Sequence, residues 1–109
     1  DGVIRFCNKA ITFIDEANVE EAHKYIVKAQ NIIEEFMIVV DRKYEVGENL
    51  YLMYEYMYRR LIEANLHKDK TIIEEVITLI RGIRDSWKEA MDKEKGIPKQ
   101  NVIKQNGEN

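Results

Sequence analysis

One cysteine, one proline and two histidines in 109 residues close off several kinds of protein at the outset. Cys7 has no partner for an internal disulfide and gives no sign of an oxidising compartment. No apolar run approaches the roughly 18 residues of a membrane span, and no secretory signal is present. These absences argue for a cytosolic setting without membrane insertion. Charge of one sign is also missing. The net charge is −3 with both signs mixed along the chain, so the basic stripe that marks nucleic-acid binders is absent. There is no glycine-rich phosphate loop, no Cys-x-x-Cys and no nucleophile flanked by a base, so neither catalysis nor a cofactor is expected.

What the chain has in quantity is apolar residues at helical spacing. Val3, Cys7, Ala10, Ile14 and Ala17 alternate steps of four and three, and Ile4, Phe6, Ile11 and Phe13 widen that stripe. Cys7 falls on its inward side, where a buried, inert thiol is expected. Asn18 is placed to cap a second helix at Glu21, followed by Ala22, Tyr25, Ile26, Ala29, Ile32, Ile33, Phe36 and Val40. Asp41-Arg42-Lys43 and the Gly47 region break it. A third helix is expected from about Glu48 to His67, with Leu50, Tyr54, Met57, Leu61 and Ala64 inward. Asp69 caps a fourth, whose inward line is Ile72, Ile73, Val76, Ile80, Ile83, Trp87, Ala90 and Met91. Gly82 lies off that stripe at a cost of about 1 kcal/mol relative to alanine. Either something approaches the backbone there or the glycine is a neutral surface residue.

Short links between four amphipathic helices favour an all-α, antiparallel up-down four-helix bundle. We expect one domain over residues 1–92 and a polar, disordered tail over 93–109. The chain opens on Asp1-Gly2-Val3-Ile4 without methionine and enters the helical pattern at once, which suggests a truncated first helix.

A four-helix bundle raises the possibility of a di-iron site, which needs two Glu-x-x-His motifs and two further inward glutamates. Glu20 to His23 supplies one such motif. The second fails, because Ala64 stands three residues before His67. No metal is expected.

The remaining signal is surplus apolar surface on the third helix. Four of the six tyrosines fall between Tyr51 and Tyr58, more than one buried stripe accommodates. With Tyr54 at zero on a wheel of about 3.6 residues per turn, Leu50, Met57, Leu61 and Ala64 cluster as the core side. Tyr51, Tyr58 and Ile62 form a second stripe beside it, continued by Asn65 and edged by Leu66. Val27 and Ile38 share an outward azimuth on the second helix. Extended apolar patches tend to mark interaction sites, and tyrosine suits wet interfaces. These residues describe a helical bundle that binds a polypeptide.

YEYMYRRLIEAN, with the preceding Met53, closely resembles the third-helix signature of the flagellin export chaperones, the FliS family. Asp1-Gly2 with Ile4-Arg5-Phe6 resembles the middle of that family's first helix. Lys28 to Ile33 resembles its second and Arg84 to Ala90 its fourth, so the likeness runs in order from Asp1 to about Asp92. The resemblance implies a cytosolic, ATP-independent chaperone. Its client would be the C-terminal segment of flagellin, kept from premature polymerisation and delivered to the flagellar type III export gate. That segment would lie in apolar grooves as a largely extended chain with short helical pieces. Under this resemblance Tyr51, Tyr58, Ile62, Asn65, Leu66, Arg59, Val27 and Ile38 are the candidate client contacts. Arg59 and Arg60 either pair with client carboxylates or close salt bridges within the bundle. Asn65 either binds client backbone or caps a neighbouring helix. The family's segment upstream of these helix-one turns, which helps to cover the client groove and to dock on the gate, has no counterpart here. Its absence would leave apolar surface on the other three helices, through which the chain could form a homodimer. The alternative is a non-enzymatic helical adaptor with a different helical or extended partner.

Overall fold

The computed structural model describes the backbone of residues 1–96 and side-chain environments through residue 89. Four helices follow one another along it: α1 (Gly2–Asp15), α2 (Val19–Val39), α3 (Glu45–His67) and α4 (Lys70–Gly96). Three of them begin where a side chain satisfies the first free amides, while α3 starts after Tyr44 with no side-chain cap. Asp1 accepts from the amides of Val3 and Ile4, and Asn18 Oδ1 accepts from Glu21 at 3.2 Å, as its position predicts. Asp69 Oδ1 accepts from Thr71 N at 2.9 Å at the head of α4. Residues 93–96, expected in the tail, continue α4, and the rest of that tail lies outside the described residues.

Ala17 departs from expectation. It is exposed and sits past the end of α1 in the left-handed region, φ 60°, rather than continuing the apolar stripe. Its amide bonds Ile14 O while Asn18 N bonds Phe13 O, a closure that reverses the chain in the few residues before α2.

α3 starts three residues earlier than the expected Glu48, and Gly47 falls within its first turn. A β carbon at Gly47 would stand 1.9 Å from the Asp41 carbonyl oxygen, so glycine lets the α2–α3 link pass against the helix. The corner is further tied by the amide of Lys43, which donates to Asp41 Oδ1, and by the Arg42–Glu48 pair at 2.8 Å.

Helix neighbours form a closed ring: α1 packs on α2, α2 on α3, α3 on α4, and α4 on α1. Lys70 at the head of α4 reaches Asp15 at the foot of α1, and Asn65 late in α3 reaches His23 early in α2. Neighbours therefore run antiparallel, and the fold is the expected four-helix bundle. Its core joins Val3, Cys7 and Ala10 with Ile26, Ala29 and Ile33, Met57, Leu61 and Ala64, and Ile73, Val76 and Ile80. Cys7 is buried, and that burial pushes its thiol up to about 12.

Trp87 does not belong to that core. It is 53% exposed although its azimuth points inward. Its inward azimuth leads to the seam between α3 and α4, where it lines an apolar surface with Val46, Leu50 and Met53, rather than to the packed centre. Ala90 and Met91 lie beyond the residues whose side chains are described.

Candidate peptide-binding surface

α3 sits between α2 and α4 and presents a different surface to each. The predicted stripe lies on the α2 flank. His23 and Asn65 fix the register there, so Val27 comes level with the Leu61–Ile62 turn. Ile62 is 49% exposed and Leu66 76% exposed, while Val27 is half-buried beside them. Tyr58 is half-buried and packs against the core cluster, so it is as much a boundary residue as a surface one.

The other predicted residues are spoken for or stand apart. The Tyr51 ring lies under the Arg42 guanidinium, 3.8 Å from its centroid. Asn65 bridges two elements: its amide nitrogen is 2.8 Å from His23 Nδ1 and its oxygen accepts from Lys68 Nζ at 2.7 Å. Arg59 pairs with Glu55 at 3.5 Å, and Arg60 closes bundle salt bridges to Glu63 and Glu75. Ile38 is fully displayed, but it lies eleven residues along α2 from Val27, about 16 Å at the helical rise. The structure thus brings Val27, Tyr58, Ile62, Asn65 and Leu66 together and leaves Ile38 at the opposite end.

The α4 flank holds an apolar groove of about 360 Å³ that periodicity alone did not reveal. Val46, Leu50 and Met53 form its α3 wall; Leu79, Ile83 and Trp87 form its α4 wall. Thr78, Gly82 and Ser86, small residues spaced four apart, line it too. A β carbon at Gly82 would meet nothing within 4 Å, so the glycine widens the groove rather than relieving a contact. Met53 and Leu79 also line a second depression, with Leu52, Tyr56 and Glu75, which extends the groove along the seam.

That extension ends on a polar clamp. Tyr56 donates to Glu75 Oε2 at 2.6 Å, and Arg60 Nε donates to Glu75 Oε1 at 3.0 Å. The Tyr56 hydroxyl and the Arg60 guanidinium hold the Glu75 carboxyl below its ordinary range, against an opposing effect of burial. Tyr56 is therefore a cross-helix hydrogen-bonding residue that also lines the second depression. The only sequence signal for this flank was Gly82, flanked at four residues either way by Thr78 and Ser86.

Among the described residues no group of three or more His, Cys, Asp or Glu side chains is placed to hold a metal ion. None of the described helices is long and apolar enough to cross a membrane. Fold and surface together define an all-α bundle with exposed apolar side chains on both flanks of one helix.

Residues 1–94 match the family model for the flagellar protein FliS. The flagellar secretion chaperone FliS of Bacillus subtilis is 35% identical over 95 residues, covering 87% of this chain and 71% of that protein. Its Escherichia coli namesake is 39% identical over 94 residues, covering 84% and 69%, and that of Salmonella typhimurium is 33% identical over 96 residues, covering 85% and 71%. The chain belongs to the FliS family of flagellar secretion chaperones.

Proposed function

We propose that this protein is a type III flagellar export chaperone that binds the C-terminal segment of flagellin, prevents its premature polymerisation and presents it for export. The observation that carries this reading is the apolar surface on both flanks of α3. Ile62 and Leu66 lie on the α2 side, and the groove from Trp87 to Tyr56 lies on the α4 side. A disordered segment threaded along these seams buries its apolar residues and offsets the entropy of its own ordering. The work is done by binding in the cytosol, without catalysis or nucleotide. The candidate contacts are Ile62, Leu66, Tyr58, Val27 and Asn65, joined by Val46, Met53, Leu79 and Trp87. Tyr51, Arg59 and Ile38 sit at the margins. Hand-over to the export gate completes the proposal, and no described residue is assigned to it.

The test is titration with a peptide of the cognate flagellin's C-terminal segment, followed through Trp87, the chain's only tryptophan. Saturable binding with a blue shift of emission is expected. Failure to saturate, with the protein folded by circular dichroism, would overturn the reading. Light scattering during the titration separates client capture from homodimerisation through the exposed apolar surface. A client gives a one-to-one mass increment, whereas a second copy gives a doubled mass before any peptide is added.

A further inference from the structure

Opposite the α3–α4 groove, the α1–α2 seam carries a different kind of surface. Phe6 and Tyr25 stand 5.8 Å apart between ring centroids, and Phe13 stacks on Tyr25 at 5.6 Å, making a half-buried aromatic floor. Three exposed cations converge on it. Arg5 lies 5.0 Å from the Phe6 centroid, Lys28 lies 5.4 Å from Phe6 and 5.0 Å from Tyr25, and Lys9 lies 5.7 Å from Tyr25. Lys28 shares a ring with each of the others, which keeps it within about 10 Å of both, roughly one Debye length at 0.1 M salt.

What sets these cations apart is that they are gathered over one aromatic floor, since Lys43, Lys68, Arg81 and Lys88 also form no salt bridge among the described residues. The chain is acidic overall, and six of its cations, Lys24, Arg42, Arg59, Arg60, Lys70 and Arg84, pair with carboxylates. Among the described residues, Arg5, Lys9 and Lys28 form no such pair. The nearby acids lie towards the ends of the face: Asp1, one turn before Arg5, is turned onto the amides of Val3 and Ile4, Glu21 is engaged by Lys24, Glu16 lies past the end of α1, and Glu35 is seven residues, about 10 Å, along α2 from Lys28. Three like charges are therefore gathered over one hydrophobic floor, with their stems held by the rings and their heads in solvent.

We propose that this α1–α2 face is a docking surface for a short acidic segment of a polypeptide, separate from the apolar client groove. Charge complementarity selects that occupant. The Arg5 fork takes one carboxylate through two hydrogen bonds, and Lys9 and Lys28 act as point charges for carboxylates on the following turn or residues. A nucleic-acid backbone is disfavoured because three cations make only a short patch on a chain of net charge −3. An anionic bilayer is disfavoured because the rings lie half-buried under the cations, leaving no apolar wedge to insert, and lipid-binding clusters use about four to eight basic residues.

The experiment uses the full chain and a fluorescein-labelled hexaglutamate peptide, read by anisotropy and by amide shifts in the isotope-labelled protein. Expected are saturable binding that weakens steeply with salt, and shifts confined to residues about 5–9 and 24–28 of the two helices. Arg5→Gln, Lys9→Gln and Lys28→Gln together should reduce affinity at least tenfold while leaving binding of the flagellin peptide unchanged. That last readout separates failure of this proposal from failure of the client assignment. A hexaglutamine peptide binding equally well, shifts mapping to α3 and α4, or no saturation by the unaltered protein would each overturn it. So would tighter binding to phosphatidylglycerol vesicles or to a single-stranded RNA of matched charge.

Discussion

The Asp41 carbonyl oxygen occupies the space that a β carbon at position 47 would need, the two falling 1.9 Å apart. Helix interiors normally gain about 1 kcal/mol when glycine becomes alanine. Here the sign reverses, because the obstructing atom is backbone and cannot rotate away. Gly47→Ala should lower stability by about 1–3 kcal/mol in chemical denaturation. An unchanged or raised midpoint would show that the corner gives way freely.

Gly82 is the internal control, since its missing side chain faces open space. Gly82→Ala should stabilise the fold by about 1 kcal/mol. The larger Gly82→Phe should fill the groove and reduce affinity for the flagellin peptide without lowering the melting temperature. Undiminished affinity in that variant would place the client elsewhere.

Trp87 and Ile62 test the two flanks separately. Both are about half exposed, so alanine at either should change stability by no more than about 0.5–1 kcal/mol. Client affinity should fall about tenfold for each, equivalent to about 1.4 kcal/mol. Tyr58→Ala is a different experiment, because Tyr58 packs on the core and its loss should lower the melting temperature as well. If only one flank responds, the client uses one seam.

The Tyr56–Glu75–Arg60 clamp predicts a pH dependence. Glu75 has its pKa lowered from the ordinary 4.5, so the unfolded chain takes up this proton at a higher pH than the folded one. The stabilisation is therefore complete well above pH 4.5 and is lost as pH falls through the lower folded value. Tyr56→Phe should reduce the melting temperature by at most a few degrees at neutral pH. The gap between variant and parent should close in acid. A gap that stays constant to pH 3 would remove Glu75 from the account.

Cys7 offers a probe of global opening. Its thiol is raised from 9.0 to about 12 by burial, so the folded protein keeps a proton that the unfolded chain loses above pH 9. Stability should accordingly decline between about pH 9 and 12, and Cys7→Ser should alter that alkaline limb. At pH 8, iodoacetamide labelling should proceed at the rate of unfolding, accelerating with denaturant. Rapid labelling of the native protein would contradict the packing of α1.

By itself the sequence determined the four helices, the inward stripes of α1 (Ala17 apart), α2 and α3, the Asn18 cap and the family. Each depends on residues within a turn or two of one another, where the helical period fixes direction. The spacing also placed Tyr51, Tyr58 and Ile62 on one stripe of the third helix and Val27 with Ile38 on one azimuth of the second. That Val27 but not Ile38 comes level with Ile62 is tertiary. Three further outcomes belong to tertiary structure. Tyr51 is covered by Arg42 from the preceding corner, Tyr56 is engaged by Glu75 nineteen residues away, and Asn65 by His23 forty-two away. The helical wheel assigned Trp87 to the core because it gives an azimuth but not what a neighbouring helix places there. Only the packed bundle shows that Trp87 is half exposed on an apolar groove between α3 and α4.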